Sequence, residues 1–288
     1  VPLELLIEAV IAGVLLGCFY AAVSVGLSVV FGLLDVPQIA HPAFLVLGAY
    51  GAYLLGTWGV DPLLAGALLT PLFFLGGLGV YRFYHAVFEQ RSDAGLRSLA
   101  FFFGIAFVVE VALIVAFGVD QRMVEAPYIG ESLALGELRL PIRMLVAFGV
   151  ALLLTATLAL YLSRTFTGRA IKAVAQDQTA LALMGADPVR IKQWAFGIAT
   201  GTCALAGALL IIVQPVEPGL GRLYIGRTFC VAVLAGLGSM PGTLAAGVIL
   251  GVAESIVLTS LGASWAPAVA FGLLLVVLAI RPAGLFGR

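Results

Sequence analysis

The chain has 288 residues, its 15 Lys and Arg balance 15 Asp and Glu to a formal net charge of zero, and 62% of its residues are hydrophobic while only 10% are charged. Soluble domains run at about 45–50% apolar and about 25% charged, so this composition, with a mean hydropathy of +1.15, excludes a soluble enzyme or binding module. It specifies an all-α, polytopic transmembrane bundle; at about 20 residues per spanning helix, the length allows one domain over 1–288 of roughly eight to ten spans and leaves no room for a soluble domain.

The first apolar run covers 5–30, and the residues before it show neither a positive n-region nor a small-residue cleavage site, so they read as the run-in to a span. Ala9, Gly13, Gly17 and Ala21 place small side chains on one face of it, which allows another backbone to approach closely. The stretch from Gly32 to Pro42, GLLDVPQIAHP, then interrupts the apolar pattern with Asp35, Gln38 and His41. Non-helical backbone at membrane depth survives only where protein or a water-filled cavity satisfies it, so this stretch is either a cavity-lining break or a tight turn at the membrane surface. Spans follow at 43–58, with Gly48, Ala52 and Gly56 as a second small-residue ladder, and at 62–81.

The segment 82–97 carries Arg82, Arg91 and Arg97; the fourth span, 99–117, contains Glu110; and 118–142 holds Asp120, Glu125, Glu131 and Glu137 against Arg122 and Arg139. After a fifth span at 144–163, the segment 164–192 carries Arg164, Arg169, Lys172, Arg190 and Lys192, and the C-terminus carries Arg281 and Arg288. Lys and Arg are retained on the cytoplasmic side, which makes the three basic segments cytoplasmic and 118–142 external. Arg222 and Arg227 break this pattern, since alternation places them near the outer face.

The remaining spans are expected at 194–213, 228–237, 243–261 and 265–280. Cys203 with Gly207, and Gly247 with Gly251, continue the small-residue theme, while GLGSMPG from Gly236 to Gly242 is a second interruption containing Ser239. Two interruptions in the two halves of the chain match the broken helices of transporters, so Asp35, Gln38, His41, Ser239 and the intramembrane Glu254 are candidates for a translocation path. For Glu254 the alternative is a carboxyl group bonded to a neighbouring helix. Arg227, read as the start of a span, could draw a substrate carboxylate together with the helix N-terminus; the alternative is an interfacial arginine on lipid phosphate or an acidic partner. Cys18, Cys203 and Cys230 are isolated in apolar stretches and read as buried small side chains. Neither GxxxxGK[ST] nor HExxH occurs, and Ser239 lacks the GxSxG setting. No catalytic, cofactor or metal site is therefore expected on this chain.

The segment 164–192 is too long and too polar to be a mere connector in so apolar a chain. From Gly168 to Met184 it is rich in helix formers, with Gly185 as a stop and Pro188 just beyond. It reads as an amphipathic cytoplasmic helix or helix pair, either a handle for another protein or a helix lying on lipid headgroups. The competing class for the whole chain is a self-sufficient channel or ion-coupled secondary transporter for a small polar solute, which would use Asp35, Glu110 or Glu254 as an ion site and would have no use for such a helix.

The stretch from Thr167 to Gly185, TGRAIKAVAQDQTALALMG, resembles the cytoplasmic coupling segment of the branched-chain amino-acid permease family of ABC importers. GLSVVFGLL from Gly26, Ala40-His41 and LGAY from Leu47 resemble that family's N-terminal signature, VLAGLGSMPG from Val233 its glycine-rich break, and RPAGLFG from Arg281 its terminal motif. The order and spacing agree over nearly the whole chain. Gln38 and Pro42 depart from the Asn and Gly usual around the Ala-His pair, which puts the substrate in doubt rather than the family. The resemblance implies an inner-membrane permease subunit of a bacterial or archaeal cell, without catalysis of its own. It would work with a homologous second permease, two cytoplasmic ATPase subunits that hold ATP and Mg, and a soluble extracytoplasmic binding protein delivering a branched-chain or related amino acid or a small amide. It also implies that Gly168, Arg169, Lys172, Ala175, Asp177 and Gly185 dock on the ATPase.

Overall fold

With no water to bond in hydrocarbon, an apolar run must satisfy its backbone internally, and the helix does so within one segment. A computed structural model describes residues 3–31, 38–89, 94–135, 138–236, 238–281 and 284–285. In chain order these form α1 (Leu3–Val30), α2 (His41–Gly56), α3 (Pro62–Tyr84) running into a π-helical turn at His85–Glu89, α4 (Ala94–Phe117), strands β1 (Ser132–Leu135) and β2 (Leu138–Pro141), α5 (Ile142–Arg164), short helices α6 (Phe166–Val174) and α7 (Gln178–Leu183), α8 (Pro188–Val213), α9 (Leu220–Ala235), α10 (Met240–Leu261) and α11 (Ala266–Ile280). Every expected span is met by a helix. Six of them, α1, α3, α4, α5, α8 and α10, are long and apolar enough to cross a membrane. By contrast α2 and α9, with 16 residues each, and α11, with 15, are shorter.

The small-residue ladders are the seams of the bundle. Gly13 and Gly17 of α1 face Val252 and Val248 of α10, and a methyl group added at Gly247 would lie 2.5 Å from the Gly17 carbonyl oxygen. Ser255 completes the seam by donating its hydroxyl to the Ala9 carbonyl at 2.7 Å. On the other side Gly48 of α2 meets the backbone of Cys203 and Ala204 in α8, and Gly207 of α8 meets Leu45 and Ala49. Backbones brought this close gain the dispersion that drives helix association in lipid, where no hydrophobic force acts between helices. The enclosed α8 is flanked by α1, α2 and α3, while α4 and α11 present Phe103, Phe107, Phe271 and Leu275 to the outside.

These pairings fix direction. Ala9 meets Ser255 while Gly17 meets Val248, so α1 and α10 are antiparallel; Gly66 meets Leu205 and Ala208 while Gly77 meets Gly197, so α3 and α8 are too. As a result the ends of α3 and α5 and the starts of α8 and α10 gather at one end, where Leu162, Ile171, Ile191 and Met240 share a cluster. This is the basic end, hence the cytoplasmic one. At the opposite end β1 and β2 form an antiparallel hairpin in which Ser132 pairs with Pro141. There Tyr128 donates to Asp61, the cap of α3, at 3.0 Å, and Arg122 bridges to Val216. Burial, and then the Asp61 carboxylate, push the Tyr128 phenol well above its usual range.

Candidate functional site

At the cytoplasmic end α6 and α7 form an elbow between α5 and α8. Thr165 starts α6 by accepting from Gly168 N at 3.0 Å, and Asp177 starts α7 by accepting from Thr179 N at 2.8 Å and Ala180 N at 3.0 Å. Gly185, at φ +83°, turns the chain, and Asp187 with Pro188 starts α8; a left-handed residue followed by a cap and proline is an ordinary helix stop and restart. The inner face of the elbow, Ala170, Ile171, Val174 and Leu181, packs against Leu158 and Leu162 of α5 and Ile191 of α8. Arg169, Lys172, Ala175 and Asp177 are exposed on the outer face, and the tip of α7 presents the apolar Leu183 and Met184 at 84% and 85% exposure.

Lys192 belongs to a different structure. Its ammonium donates to Glu89 at 2.8 Å, while His85 and the Tyr81 hydroxyl meet the other carboxylate oxygen, each at 2.8 Å. This cluster ties the start of α8 to the end of α3.

The two interruptions differ. At Gly236 and Gly238, both with positive φ, the chain reverses from α9 into α10, and Ser239 caps α10 by accepting from Gly242 N at 3.1 Å. At the start of α2, His41 is fully buried beside Val23, to whose carbonyl Nε2 donates at 3.0 Å, and beside the thiol of Cys203. Gln38 is 1% exposed, and its amide has no hydrogen-bond partner among the described residues. Asp35 lies outside the described residues. On the outer side, Val216 is held against Arg122, and α9 then begins beside the first turn of α2, where a methyl added at Gly221 would come within 3.3 Å of the Pro42 carbonyl oxygen.

Two ion pairs lie along α9. Arg222 gives Nε to Glu110 of α4 at 3.1 Å and Nη2 to its other oxygen. Arg227 gives Nε to Glu254 of α10 at 3.2 Å, with a second contact through Nη2, and stacks over the Tyr20 and Tyr224 rings at 5.5 and 5.4 Å. The Glu254 side chain is 4% exposed and that of Arg227 19%, whereas Arg222 is 71% exposed. Glu110 and Arg222 form the charged side of a small recess of about 30 Å³ between α2, α4 and α9.

Comparison with known proteins gives this geometry a context. The family described as branched-chain amino acid transport system / permease component matches residues 9–278. The chain belongs to this family. It is 29% identical to the high-affinity branched-chain amino acid transport system permease protein BraD of Pseudomonas aeruginosa over 98% of its length and 96% of that protein, and 27% identical to LivH of Escherichia coli (strain K12) over 96% of its length and 94% of that protein. LivH of Salmonella typhimurium is 28% identical over 96% of this chain. No solved structure matches the chain significantly. Family and helices together make it a multi-pass protein of the cytoplasmic membrane.

For a member of this permease family, several expectations about individual residues need correction. Gly168, expected among exposed docking residues, is buried, with the Tyr161 carbonyl oxygen 2.4 Å from where its Cβ would be, so glycine is needed there to seat α6 against α5. The elbow ends at Asp187, because α8 starts at Pro188, three residues beyond the Gly185 stop, and takes Lys192 inside. Arg227 does not start a helix; α9 begins at Leu220, and the guanidinium is already matched by Glu254. Ser239 is occupied as a helix cap. What went unrecognised was Arg222 with Glu110. Both residues stood out in the sequence, one as a misplaced cation and one as an intramembrane acid, but nothing in their spacing joins them.

Proposed function

We propose that this chain is one permease subunit of an ATP-binding-cassette importer and carries a branched-chain or related amino acid handed over by a soluble binding protein. The observation that carries this reading is the α6–α7 elbow. Its inner face is anchored to α5 and α8, and its outer face offers Arg169, Lys172, Leu183 and Met184 where a cytoplasmic ATPase would sit. An exposed apolar tip on α7 with exposed cations on the adjoining α6 suits a protein groove with acidic walls. Two such ATPase subunits, binding ATP and Mg, would push on the elbow, and a second, homologous permease would complete the path. Ala175, Asp177 and Gly185 shape the elbow, while Gln38 and His41 stand at the break beside the path. The relatives BraD and LivH support the choice of cargo by their names. An ion-driven carrier is less well supported, because Glu110 and Glu254 are each spent on an arginine.

The test is affinity purification of the tagged chain from its native membrane in mild detergent, followed by mass spectrometry. Stoichiometric recovery of a second permease and ATPase subunits is expected; reproducible recovery of the folded chain alone would overturn the reading. In the same experiment Arg169→Glu with Lys172→Glu should release the ATPase subunits, or separate ATP hydrolysis from uptake, while leaving membrane insertion unchanged.

A further inference from the structure

Helices α3 and α8 are antiparallel, and their contacts show which residues stand at the same level. The Gln193 amide of α8 donates to the Leu78 carbonyl of α3 at 3.0 Å, and Phe74 packs edge-on against Trp194 with ring centroids 5.4 Å apart. One turn nearer the cytoplasm, four residues after Leu78 and four before Trp194, stand Arg82 and Arg190. Both are exposed, and neither has a carboxylate partner among the described residues. Helical spacing puts Arg82 on the flank of α3 that carries Phe74 and Leu78, and Arg190 on the flank of α8 that carries Trp194, so the two guanidinium groups border one groove.

Their depth is that of a lipid headgroup. With 26 residues α8 is about 39 Å long, against about 30 Å of hydrocarbon, so its first turn stands among headgroups. Trp194, about 9 Å in from that end, lies where tryptophan rings gather at the edge of the hydrocarbon, and its ring is exposed on the most enclosed of the six long helices. On α3, Leu75 lies two turns deeper than Arg82 on the same face and Leu72 about 15 Å deeper, both exposed, so apolar surface runs down from the arginines through one leaflet's share of the hydrocarbon. The elbow packs on another side of α8, through Ile191, about a quarter of a turn round from Arg190.

We infer that the cytoplasmic ends of α3 and α8 bind an anionic phospholipid of the inner leaflet. Arg82 and Arg190 hold its phosphate from two sides, Trp194 lies beside its glycerol backbone, and an acyl chain follows Phe74, Leu75 and Leu72. A guanidinium meets phosphate oxygens with paired N–H donors and sheds water more readily than an ammonium, which suits arginine to this level of the membrane. The absence of a carboxylate at the groove sets the selectivity. A zwitterionic lipid brings its own cation, which would lie beside two arginines with nothing to offset it, whereas a lipid of net negative charge neutralises them. Such a lipid touches both helices at once and closes the membrane-facing side of the α3–α8 seam that Gln193 and Gly197 close from within.

The test uses the complex purified from its native membrane and placed in nanodiscs of phosphatidylcholine, to which a phosphatidylglycerol carrying a photoreactive diazirine in one acyl chain is added. After illumination, labelled peptides are mapped by mass spectrometry. Label is expected on the peptides containing 72–78 or 194–198, displaced by unlabelled phosphatidylglycerol but not by inorganic phosphate. An arginine beside an anionic lipid is worth about fivefold in binding, so Arg82→Gln and Arg190→Gln should each lower the labelling by that much and the double variant about 25-fold. Arg82→Lys with Arg190→Lys should keep more of it than either glutamine variant. Arg97→Gln, which removes an exposed cytoplasmic arginine from α4 instead, should leave it unchanged. Gel filtration shows that each variant complex is intact. Equal labelling by a phosphatidylcholine probe, wild-type labelling in the double variant, or an equal loss in Arg97→Gln would overturn the inference. So would the absence of label from both peptides, which would mean that protein covers the groove. Uptake is not read, so any of these results leaves the importer reading where it stands.

Discussion

Helix α9 carries two arginines, each facing a glutamate from another helix, and their surroundings are opposite. Arg227 and Glu254 lie in the interior with Tyr20 and Tyr224 stacked on the guanidinium, so both charges have exchanged water for each other and for aromatic faces. Arg222 and Glu110 make the same kind of contact at the rim of a recess. Each guanidinium engages its carboxylate through Nε and Nη2, so the bonding is alike in the two pairs. What separates them is surroundings: the Arg227 side chain is 19% exposed and that of Arg222 71%. In a chain with so few charges, the same chemistry thus serves once as a fastener inside the bundle and once at its margin.

The strongest way to break this comparison is to remove half of the buried pair. Glu254→Ala leaves Arg227 buried without a counter-charge, which costs about 3–5 kcal/mol when a buried pair is broken. The thermal midpoint of the purified complex should fall steeply, and an unchanged midpoint would show the pair to be dispensable. Replacing both members, Arg227→Met with Glu254→Leu, should recover most of that loss, because apolar side chains of similar volume often substitute for a buried pair without penalty; uptake should return with stability. Failure of uptake in a stable double variant would mean that Arg227 touches cargo after all. The smallest expected effect on stability belongs to the exposed pair. Arg222→Gln should leave the thermal midpoint where it is, and a fall as large as that of Glu254→Ala would make the two pairs alike.

Much of the architecture was legible in the sequence because bundle packing in lipid leaves a local trace. The ladder Ala9, Gly13, Gly17, Ala21 and the pair Gly247, Gly251 were visible as separate stripes, and they prove to be the two sides of one seam. The stop at Gly185 and the apolar inner face of α6 were equally plain. The β1–β2 hairpin left only a weak trace, two short leucine-rich runs, SLAL and LRLP, on either side of Gly136-Glu137. The ion pairs had none. Arg222 finds Glu110 across 112 positions of sequence and Arg227 finds Glu254 across 27, and such partnerships depend on how helices lie beside one another, which no periodicity records. Gly168 misled for a related reason, because a glycine needed for close packing looks in sequence like one needed for shape at a surface.

The Lys192–Glu89 tie is one of several that fasten the helices into groups. It fastens the cytoplasmic start of α8 to the end of α3; Gly48 and Gly207 fasten α2 to α8; and the Tyr84 hydroxyl with Ser98 at 2.6 Å, together with the Tyr84 ring packed at a tilt against Phe101 and Phe102, fastens α4 to α3. These four helices form one slab. A second slab is built on the α1–α10 seam, to which Arg227–Glu254 joins α9. The Glu110–Arg222 clasp is thus stitched across the joint between the slabs, whereas Arg227–Glu254 is internal to one of them. That joint is itself tightly packed, since a methyl added at Gly26 of α1 would lie 2.6 Å from the Ala199 carbonyl oxygen of α8 and the His41 ring donates to the Val23 carbonyl, so the clasp adds a polar stitch to a seam already closed by backbone contact.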